Sequence, residues 1–417
     1  MARKTSLLFL SLLAIGFVSC KKSDNNPDTG KALELTSEEQ LKVAADNAFT
    51  LKLVKQLNGN GTATDNMFVS PLSASFALGM TSNGAKGETL QGINTAMEFT
   101  GFSQAAINTY YNKLITQLPN LEPNTEVNIA NSIWYKQGFE VVPSFIATNT
   151  DAYKAKVQAL DFGSASAKEQ MNQWVSEQTH GKIPSIIGNV PGNARMYLIN
   201  AIYFKSIWKN KFNAADTRKM AFVTNTGATV QADFMSGRVE YGSYFEDNGN
   251  NKYTQVAELP YANGRYSMVV ILPDVSSNVN ELLAGIDNAK WNKWMKPMGG
   301  GIKDQVFFPK LKFSYSTRLN DALVAMGMGK AFSDDADFTG ISAAGGIAIT
   351  EVKQKAYVEV NEQGTEAAAA TSVEVGVTAA PPRDLKLNRP FVFVIRENSS
   401  GLILFAGIVN NPLLMGN

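Results

Sequence analysis

Cysteine and histidine, on which many catalytic and metal sites depend, are almost absent from this chain of 417 residues. A single thiol cannot form a disulfide framework. The one histidine, His180, would have to act in any Ser-His-Asp or Cys-His catalytic system, yet no G-x-S-x-G, H-E-x-x-H or C-x-x-C spacing accompanies it. A Walker loop and a dinucleotide-binding fingerprint are also missing. We therefore predict a protein that is not an enzyme and that has no metal site and no cofactor.

An excess of charge of either sign is also lacking. The chain has 38 Lys and Arg residues against 37 Asp and Glu residues, a formal net charge of +1. That balance argues against nucleic acid as a partner and against a polybasic membrane contact. Hydrophobic residues make up 44% of the sequence, enough for a large packed core. Because no repeat or internal boundary interrupts the sequence, we predict one domain at residues 37–417, and we expect a monomer.

The N terminus has the features of a targeting segment. Basic residues come first, and the apolar run at residues 7–18 is too short for a membrane-spanning helix. The run leads to Ser19 and to Cys20, the only cysteine of the chain. A small residue directly before such a cysteine resembles a bacterial lipoprotein signal, and an ordinary signal peptide is the alternative. We predict a signal peptide at residues 1–19, then a lipidated Cys20 and a polar tether at residues 20–36.

This reading predicts the location of the protein. The lipid on Cys20 would attach it to a membrane of the bacterial cell envelope, with the folded domain either periplasmic or surface-exposed.

Residues 362–382 alternate with a period of two, which is typical of a strand with one buried face. The stretch is longer than an ordinary strand, and Pro381 and Pro382 end it. Its β-branched second half disfavours a helix, and its regularity disfavours a disordered linker. We therefore interpret it as a loop that can enter a sheet later. The small or β-branched positions are Thr365, Ala367, Ala369, Thr371, Val373, Val375 and Val377.

Ordinary secondary-structure patterns surround this stretch. Residues 36–39 offer a capping box, and apolar residues follow it at helical spacing. Residues 127–135 and 264–274 read as strands. Residues 391–396 and 402–409 are strongly apolar and are separated by a turn, which predicts a hairpin.

Five segments resemble, in the same order, segments of the serpin family. The resemblance covers about residues 37–413. It implies an α+β serpin fold with a large, mainly antiparallel central sheet, further sheets, flanking helices and an exposed reactive-centre loop at about residues 362–385. The segments are residues 66–93 (NMFVSPLSASFALGMTSNGAKGETLQGI), 172–187 (NQWVSEQTHGKIPSII), 200–212 (NAIYFKSIWKNKF), 362–371 (EQGTEAAAAT) and 391–412 (FxFxIRxxxxGxILFxGxVxxP).

The resemblance implies a suicide-type protease inhibitor. In this family a serine or cysteine endopeptidase attacks the loop, and insertion of the cleaved loop into the central sheet traps the acyl-enzyme. Counting from Glu362, as the family does, gives a reactive bond at Thr378–Ala379. Counting back from Phe391 suggests Ala379 as the bait, which is the residue whose carbonyl the protease attacks. Val377 is a third option.

The type of bait suggests the class of target. A small, uncharged bait suits an elastase-like or subtilisin-like serine protease, and Val377 would also fit a papain-like cysteine protease. Arg383 lies beyond the prolines, so trypsin-like enzymes are expected to be poor targets.

The resemblance also assigns roles to single positions. Trp208 and Lys310 match residues where the loop first enters the sheet, and Lys310 is expected to pair with Glu362. Ordinary core and surface packing is the alternative for these positions and for the polar cluster described next. A polar cluster under the sheet corresponds to Ser70, Ser73 and Asn200, with Gln354 where the family commonly has a histidine. The hinge of the loop, residues 362–370, includes Glu362, Gly364, Thr365, Glu366, Ala367, Ala368, Ala369 and Ala370.

Two other functions are compatible with parts of the sequence. A non-inhibitory serpin could act as a surface binding or chaperone-like module, but such members typically have bulky, charged or proline residues in the hinge. Thr365 and the four alanines that follow Glu366 argue against that function here. A carbohydrate-binding or adhesion-type surface lipoprotein would fit the anchor and nothing after it.

Overall fold

The computed structural model describes residues 31–60, 65–250, 252–296, 298, 301–365 and 384–415. Several sequence predictions lie outside these ranges: the signal peptide, the first part of the tether and most of the reactive-centre loop. The predicted site residues outside them are Cys20, Glu366, Ala367, Ala368, Ala369, Ala370, Val377, Thr378 and Ala379.

The first helix begins at the predicted capping box. The Thr36 amide donates to Glu39 Oε2 (2.7 Å), and the Glu39 amide donates to Thr36 Oγ1 (3.2 Å). This reciprocal pair satisfies amide donors that a helix start leaves free. The α-helices are α1 (Ser37–Asn60), α2 (Pro71–Ser82), α3 (Gly87–Ala96), α4 (Gln104–Gln117), α5 (Pro143–Tyr153), α6 (Ala165–Gln178), α7 (Val279–Ala284), α8 (Asn288–Met295) and α9 (Asn320–Leu323).

The predicted strands and hairpin are also present, with ends that differ from the predicted ones by one or two residues. They belong to two sheets, and most neighbouring strands are antiparallel. The strands are β1 (Met67–Val69), β2 (Thr125–Lys136), β3 (Lys156–Leu160), β4 (Met196–Ile207), β5 (Arg218–Val223), β6 (Thr229–Asp247), β7 (Tyr253–Pro260), β8 (Tyr266–Leu272), β9 (Ile302–Pro309), β10 (Leu311–Arg318), β11 (Lys353–Asn361), β12 (Gly364–Thr365), β13 (Leu385–Lys386), β14 (Phe391–Glu397) and β15 (Ile403–Val409).

The six-stranded sheet has the order β10-β11-β12-β4-β2-β3, and only β2 and β3 in it are parallel. The nine-stranded sheet has the order β1-β15-β14-β8-β7-β6-β9-β13, with β5 paired to β6. The predicted α+β fold, with a mainly antiparallel central sheet, further strands and flanking helices, is confirmed.

The core explains why some strands are apolar throughout and others alternate. Every residue of β8, β14 and β15 is buried, because both faces of this sheet region are covered. Phe68 of β1 stacks between Phe393 and Phe405, with ring centroids 5.5 and 5.2 Å apart.

Within the described ranges, no helix combines the length and the apolar character that a membrane span requires.

Candidate functional site

The described part of the hinge already lies in the six-stranded sheet. Gly364 and Thr365 form β12, which pairs with Val360 and Asn361 of β11 on one side. On the other side β12 pairs with β4, with Thr365 opposite Ser206. The start of the loop is therefore a strand between β11 and β4.

This arrangement corrects the predicted bounds of the exposed loop. Residues 362–365 are all buried, and Leu385, in parallel pairing with β9, is buried as well. Gly364 permits the tight approach: its φ is +153°, and a Cβ there would overlap the Ser206 carbonyl oxygen. The Asn361 side chain accepts a hydrogen bond from the Gln363 amide (3.0 Å), which shapes the turn between β11 and β12.

Glu362 is fixed at the turn by an ion pair and by hydrogen bonds. Lys310 Nζ lies 3.0 Å from both of its carboxylate oxygens, which is the predicted pairing. Thr217 Oγ1 donates to Oε1 (2.7 Å), and the Phe212 amide donates to the Glu362 carbonyl (2.9 Å). Burial alone would raise the pKa of Glu362, but the hydrogen bonds from Thr217 and Lys310 outweigh it and hold the pKa below its usual value.

Trp208 holds the same turn through its backbone and its indole. Its amide donates to the Gln363 carbonyl (2.7 Å), and its Nε1 donates to the Asn361 carbonyl (3.0 Å). The indole stacks on the ring of Tyr261, with centroids 4.6 Å apart and planes 7° from parallel. The Tyr261 hydroxyl lies 2.6 Å from Thr365 Oγ1. Trp208 was predicted at this point. Phe212 ends the quoted segment 200–212 but was given no role, and Thr217 and Tyr261 were not predicted because no motif distinguishes them from core residues.

The cluster under the sheet is centred on Gln354. Its Nε2 donates to the Ser70 carbonyl (2.5 Å), and its Oε1 accepts from the Ser70 amide (3.1 Å). Ser70 Oγ in turn accepts from the Ser73 amide (3.2 Å) and donates to the Leu404 carbonyl (2.8 Å). Gln354 thus supplies one donor and one acceptor to the backbone of Ser70, the N-cap residue of α2.

Asn200 is not in hydrogen-bond contact with that cluster. Its Nδ2 donates to Asn131 Oδ1 (2.8 Å) and to the Ala130 carbonyl (3.3 Å) on β2. Its Oδ1 is buried and accepts no hydrogen bond from any described residue. A buried acceptor without a donor is unfavourable, so a donor brought to this position would be stabilising.

A narrow gap lies between β11 and β4, directly ahead of Thr365. The described residues of these two strands pair only through β12 and not with each other. A cavity of about 20 Å³ occupies the gap, with Phe204, Tyr357 and Ile183 among its lining residues. Ile183 belongs to the segment that follows α6, so that segment covers one face of the gap.

His180 lies on that covering segment. Its Nε2 is 2.8 Å from Glu126 Oε1, and its ring packs on Tyr203 with centroids 4.7 Å apart. Half of its side chain is exposed. These are the contacts of a histidine that packs a loop onto a sheet. No group of three or more His, Cys, Asp or Glu side chains suited to a metal ion occurs among the described residues.

Known proteins share both the sequence and the fold. The family model described as "Serpin (serine protease inhibitor)" matches residues 44–412. The leukocyte elastase inhibitor of Xenopus tropicalis is 35% identical over 384 residues, which cover 87% of this chain and 97% of the relative. The native state of the thermophilic serpin tengpin superposes with a TM-score of 0.79 at 32% identity, over 91% of this chain and 97% of the other. Human thyroxine-binding globulin gives a TM-score of 0.80 at 28% identity, over 90% and 99%. The chain therefore belongs to the serpin family.

Proposed function

We propose that this protein is a suicide-type inhibitor that traps a serine endopeptidase as an acyl-enzyme by inserting its reactive-centre loop between β11 and β4. The observation that carries the proposal is β12: Gly364 and Thr365 lie in strand pairing on both sides, with the gap ahead of them. The residues that follow, Glu366 and then four alanines, continue the alternation with small side chains. The family model and the relatives named as elastase inhibitors support the same function.

The register of β12 predicts the neighbours of each inserted residue. Thr365 pairs with Val360 and Ser206, so the next inward position, Ala367, would lie between Val358 and Phe204. Ala369 would then lie between Ala356 and Ile202. All four of these neighbours are buried. The small inward side chains are therefore those that a packed core can accept.

The same register would place the hydroxyl of Thr371 beside the polar side chains that lie further along the gap. Thr371 would lie between Gln354 on β11 and Asn200 on β4. Its hydroxyl could donate to Asn200 Oδ1, the buried acceptor that has no partner among the described residues. This match between the loop sequence and its proposed destination supports insertion along the whole gap.

Insertion would also supply the free energy that drives the change from the uncleaved to the inserted state. About a dozen inserted residues would gain ladder hydrogen bonds on both sides, and at ~1 kcal/mol net each this amounts to the order of ten kcal/mol. The uncleaved protein would then persist for kinetic reasons. An extended strand from Thr365 to Thr378 spans roughly 45 Å at about 3.3 Å per residue, enough to cross the sheet.

The chemistry belongs to the protease. Its Ser hydroxyl attacks the Thr378 carbonyl, the bond to the Ala379 nitrogen breaks, and that nitrogen leaves as an amine after taking up a proton. Insertion then carries the ester-linked protease away from the top of the sheet. Displacement of its oxyanion donors would stop hydrolysis of the ester.

The direct test is incubation of the protein with pancreatic elastase and, separately, with subtilisin. We expect an SDS-resistant complex with the mass of protease plus residues up to 378, and a released fragment that begins at Ala379. Trypsin serves as the comparison, because its preferred bait is not at the reactive bond. A released fragment that begins at residue 378 or 380 would move the bait by one residue. A papain-like protease trapped at Val377 would change the target class, and cleavage by every protease without a complex would contradict inhibition.

The second candidate function is a non-inhibitory serpin that acts as a binding or chaperone-like module. The likeness to thyroxine-binding globulin, a protein named for a small ligand, supports this candidate. Cleavage without trapping, together with an unchanged melting temperature after cleavage, would favour this candidate.

We also propose that the mature protein is held at a bacterial membrane by a lipid on Cys20. The apolar run that ends at the only cysteine supports this. Cys20→Ser should prevent fatty-acid labelling and release the protein from the membrane fraction. Continued labelling of Cys20→Ser would contradict the anchor, and it would leave the inhibitory function unaffected.

A further inference from the structure

Tyr261 is a buried residue whose hydroxyl contacts the hinge. It follows β7, and its side chain has no exposed surface. The ring stacks on Trp208 and makes an edge contact with Phe204, whose centroid is 5.3 Å away. Burial raises the pKa of the Tyr261 phenol well above its usual range, so the hydroxyl keeps its proton.

The hydroxyls of Tyr261 and Thr365 satisfy each other. They lie 2.6 Å apart, and Thr365 is only 3% exposed. Among the described residues, this is the one hydrogen bond that either hydroxyl makes. Withdrawal of Thr365 from the sheet would leave the Tyr261 hydroxyl buried without a partner, which is unfavourable.

Forward movement of the loop has no such cost. Thr365 already pairs with Val360 and Ser206. Further insertion places the residues that follow Thr365 into the gap and does not change that register. The hydrogen bond to Tyr261 therefore opposes withdrawal of the hinge and leaves insertion unopposed.

We propose that Tyr261 is a positioning residue that sets the resting depth of the hinge at Thr365. The role of this depth in trapping rests on the proposed inhibitory function, whereas the depth itself does not. Loss of the Tyr261 hydroxyl should shift the resting protein toward a state in which residues 363–365 lie outside the sheet.

Thiol labelling measures this shift without any protease. Cys20 is the only cysteine, so Cys20→Ser combined with Gln363→Cys places one thiol at a position that is 5% exposed. In this background, Tyr261→Phe should raise the rate of labelling by a maleimide about three- to tenfold, the effect of losing one buried hydrogen bond. The same rate with and without the Tyr261 hydroxyl would overturn the proposal.

Two further variants separate positioning from general loosening of the core. Tyr266→Phe also removes a buried phenol hydroxyl, one that donates to the Leu118 carbonyl (2.6 Å), and it should leave labelling unchanged. Thr365→Val alone should speed labelling, because it leaves the Tyr261 hydroxyl without a partner. Combined with Tyr261→Phe it should return the rate toward the starting value, since neither hydroxyl remains. Equal acceleration by Tyr266→Phe, or additive acceleration in the double variant, would also overturn the proposal.

The labelling experiment tests the position of the hinge and does not depend on whether the protein inhibits a protease. Failure of the unmodified protein to trap elastase or subtilisin would contradict the proposed function and would leave the resting depth of the hinge as measured.

Discussion

The two ends of the gap between β4 and β11 differ in how well their polar side chains are paired. At the hinge end, Glu362 is bound by Lys310 and Thr217, and Thr365 is bound by Tyr261. At the far end, Asn200 Oδ1 is buried and no described residue donates a hydrogen bond to it. The paired end is the end that the loop has already reached. The comparison teaches that the hinge end is already satisfied, whereas at the far end Gln354 is paired and a single acceptor, Asn200 Oδ1, could still take a donor from the loop.

Cleavage of the loop near Thr378 by a protease that is not trapped should have the largest effect. If the freed loop then occupies the whole gap, both ends become paired, with a gain of the order of ten kcal/mol. We expect the melting temperature to rise by roughly 20 °C, measured by circular dichroism before and after cleavage. A melting temperature that stays the same or falls would show that the two ends of the gap do not differ as described.

Thr365→Arg should have the next largest effect, on trapping. The inward position at Thr365 is buried, and a charge without a partner there costs several kcal/mol. Since each ~1.4 kcal/mol on the insertion barrier slows it about tenfold, hydrolysis of the acyl-enzyme should overtake insertion. We expect cleavage at the same bond and at least a hundredfold less SDS-resistant complex per cleavage.

Glu366→Arg is the matched control for Thr365→Arg. The alternation predicts that residue 366 faces the other way from Thr365, where a charge can reach water. Its complex yield should be within about threefold of the unmodified protein. Equal trapping by Thr365→Arg and the unmodified protein would favour a reversible plug over loop insertion.

Lys310→Ala should have a smaller effect, confined to the hinge end. Glu362 is buried, but Lys310 is 42% exposed and solvent screens it, so we expect a loss of about 1 kcal/mol of unfolding free energy at pH 7. Lys312→Ala is the control, because Lys312 is more exposed and lies 3.6 Å from Glu359. Equal losses in the two variants would show that the ion pair at the hinge is an ordinary surface pair.

The pH dependence of Glu362→Gln provides a separate check. The folded pKa of Glu362 lies below its ordinary value of 4.5, so its stabilisation is present above pH 4.5 and is lost as the pH falls through the folded pKa. The stability difference between the unmodified protein and Glu362→Gln should therefore be largest near neutral pH and shrink below pH 4.5. A difference that grows at acid pH would contradict the assigned partners of Glu362.

The sequence is informative about the fold and much less so about the resting state of the hinge. The capping box at Thr36, the strands and the Glu362–Lys310 pair follow from local pattern or from the family resemblance. The depth to which the hinge is inserted at Thr365 cannot be predicted in this way, because the sequence alternation is identical whether the hinge lies in or out of the sheet. Tyr261 and Thr217 have no motif, since their roles depend on strands distant in sequence. Asp46, buried in α1 and bound by the hydroxyls of Tyr110 and Tyr111, shows the same limit: helical spacing does not identify a buried acid.

Thr371→Val should have the smallest effect, and only after cleavage. The β12 register predicts that the inserted Thr371 hydroxyl donates to Asn200 Oδ1, so its removal should lower the stability of the cleaved protein by about 1 kcal/mol. The uncleaved protein should melt at an unchanged temperature, because the proposed bond between Thr371 and Asn200 forms only when the loop is inserted.

A double-mutant cycle makes the Thr371 prediction specific. Asn200→Ala removes the acceptor, and in that background Thr371→Val should cause no further loss in the cleaved form. Ser372→Ala, at the adjacent position that the alternation turns to the opposite face, should leave both forms unchanged. If Thr371→Val destabilises the cleaved protein equally with and without Asn200, the loop enters in a register other than that of β12. The unpaired oxygen would then have a different partner.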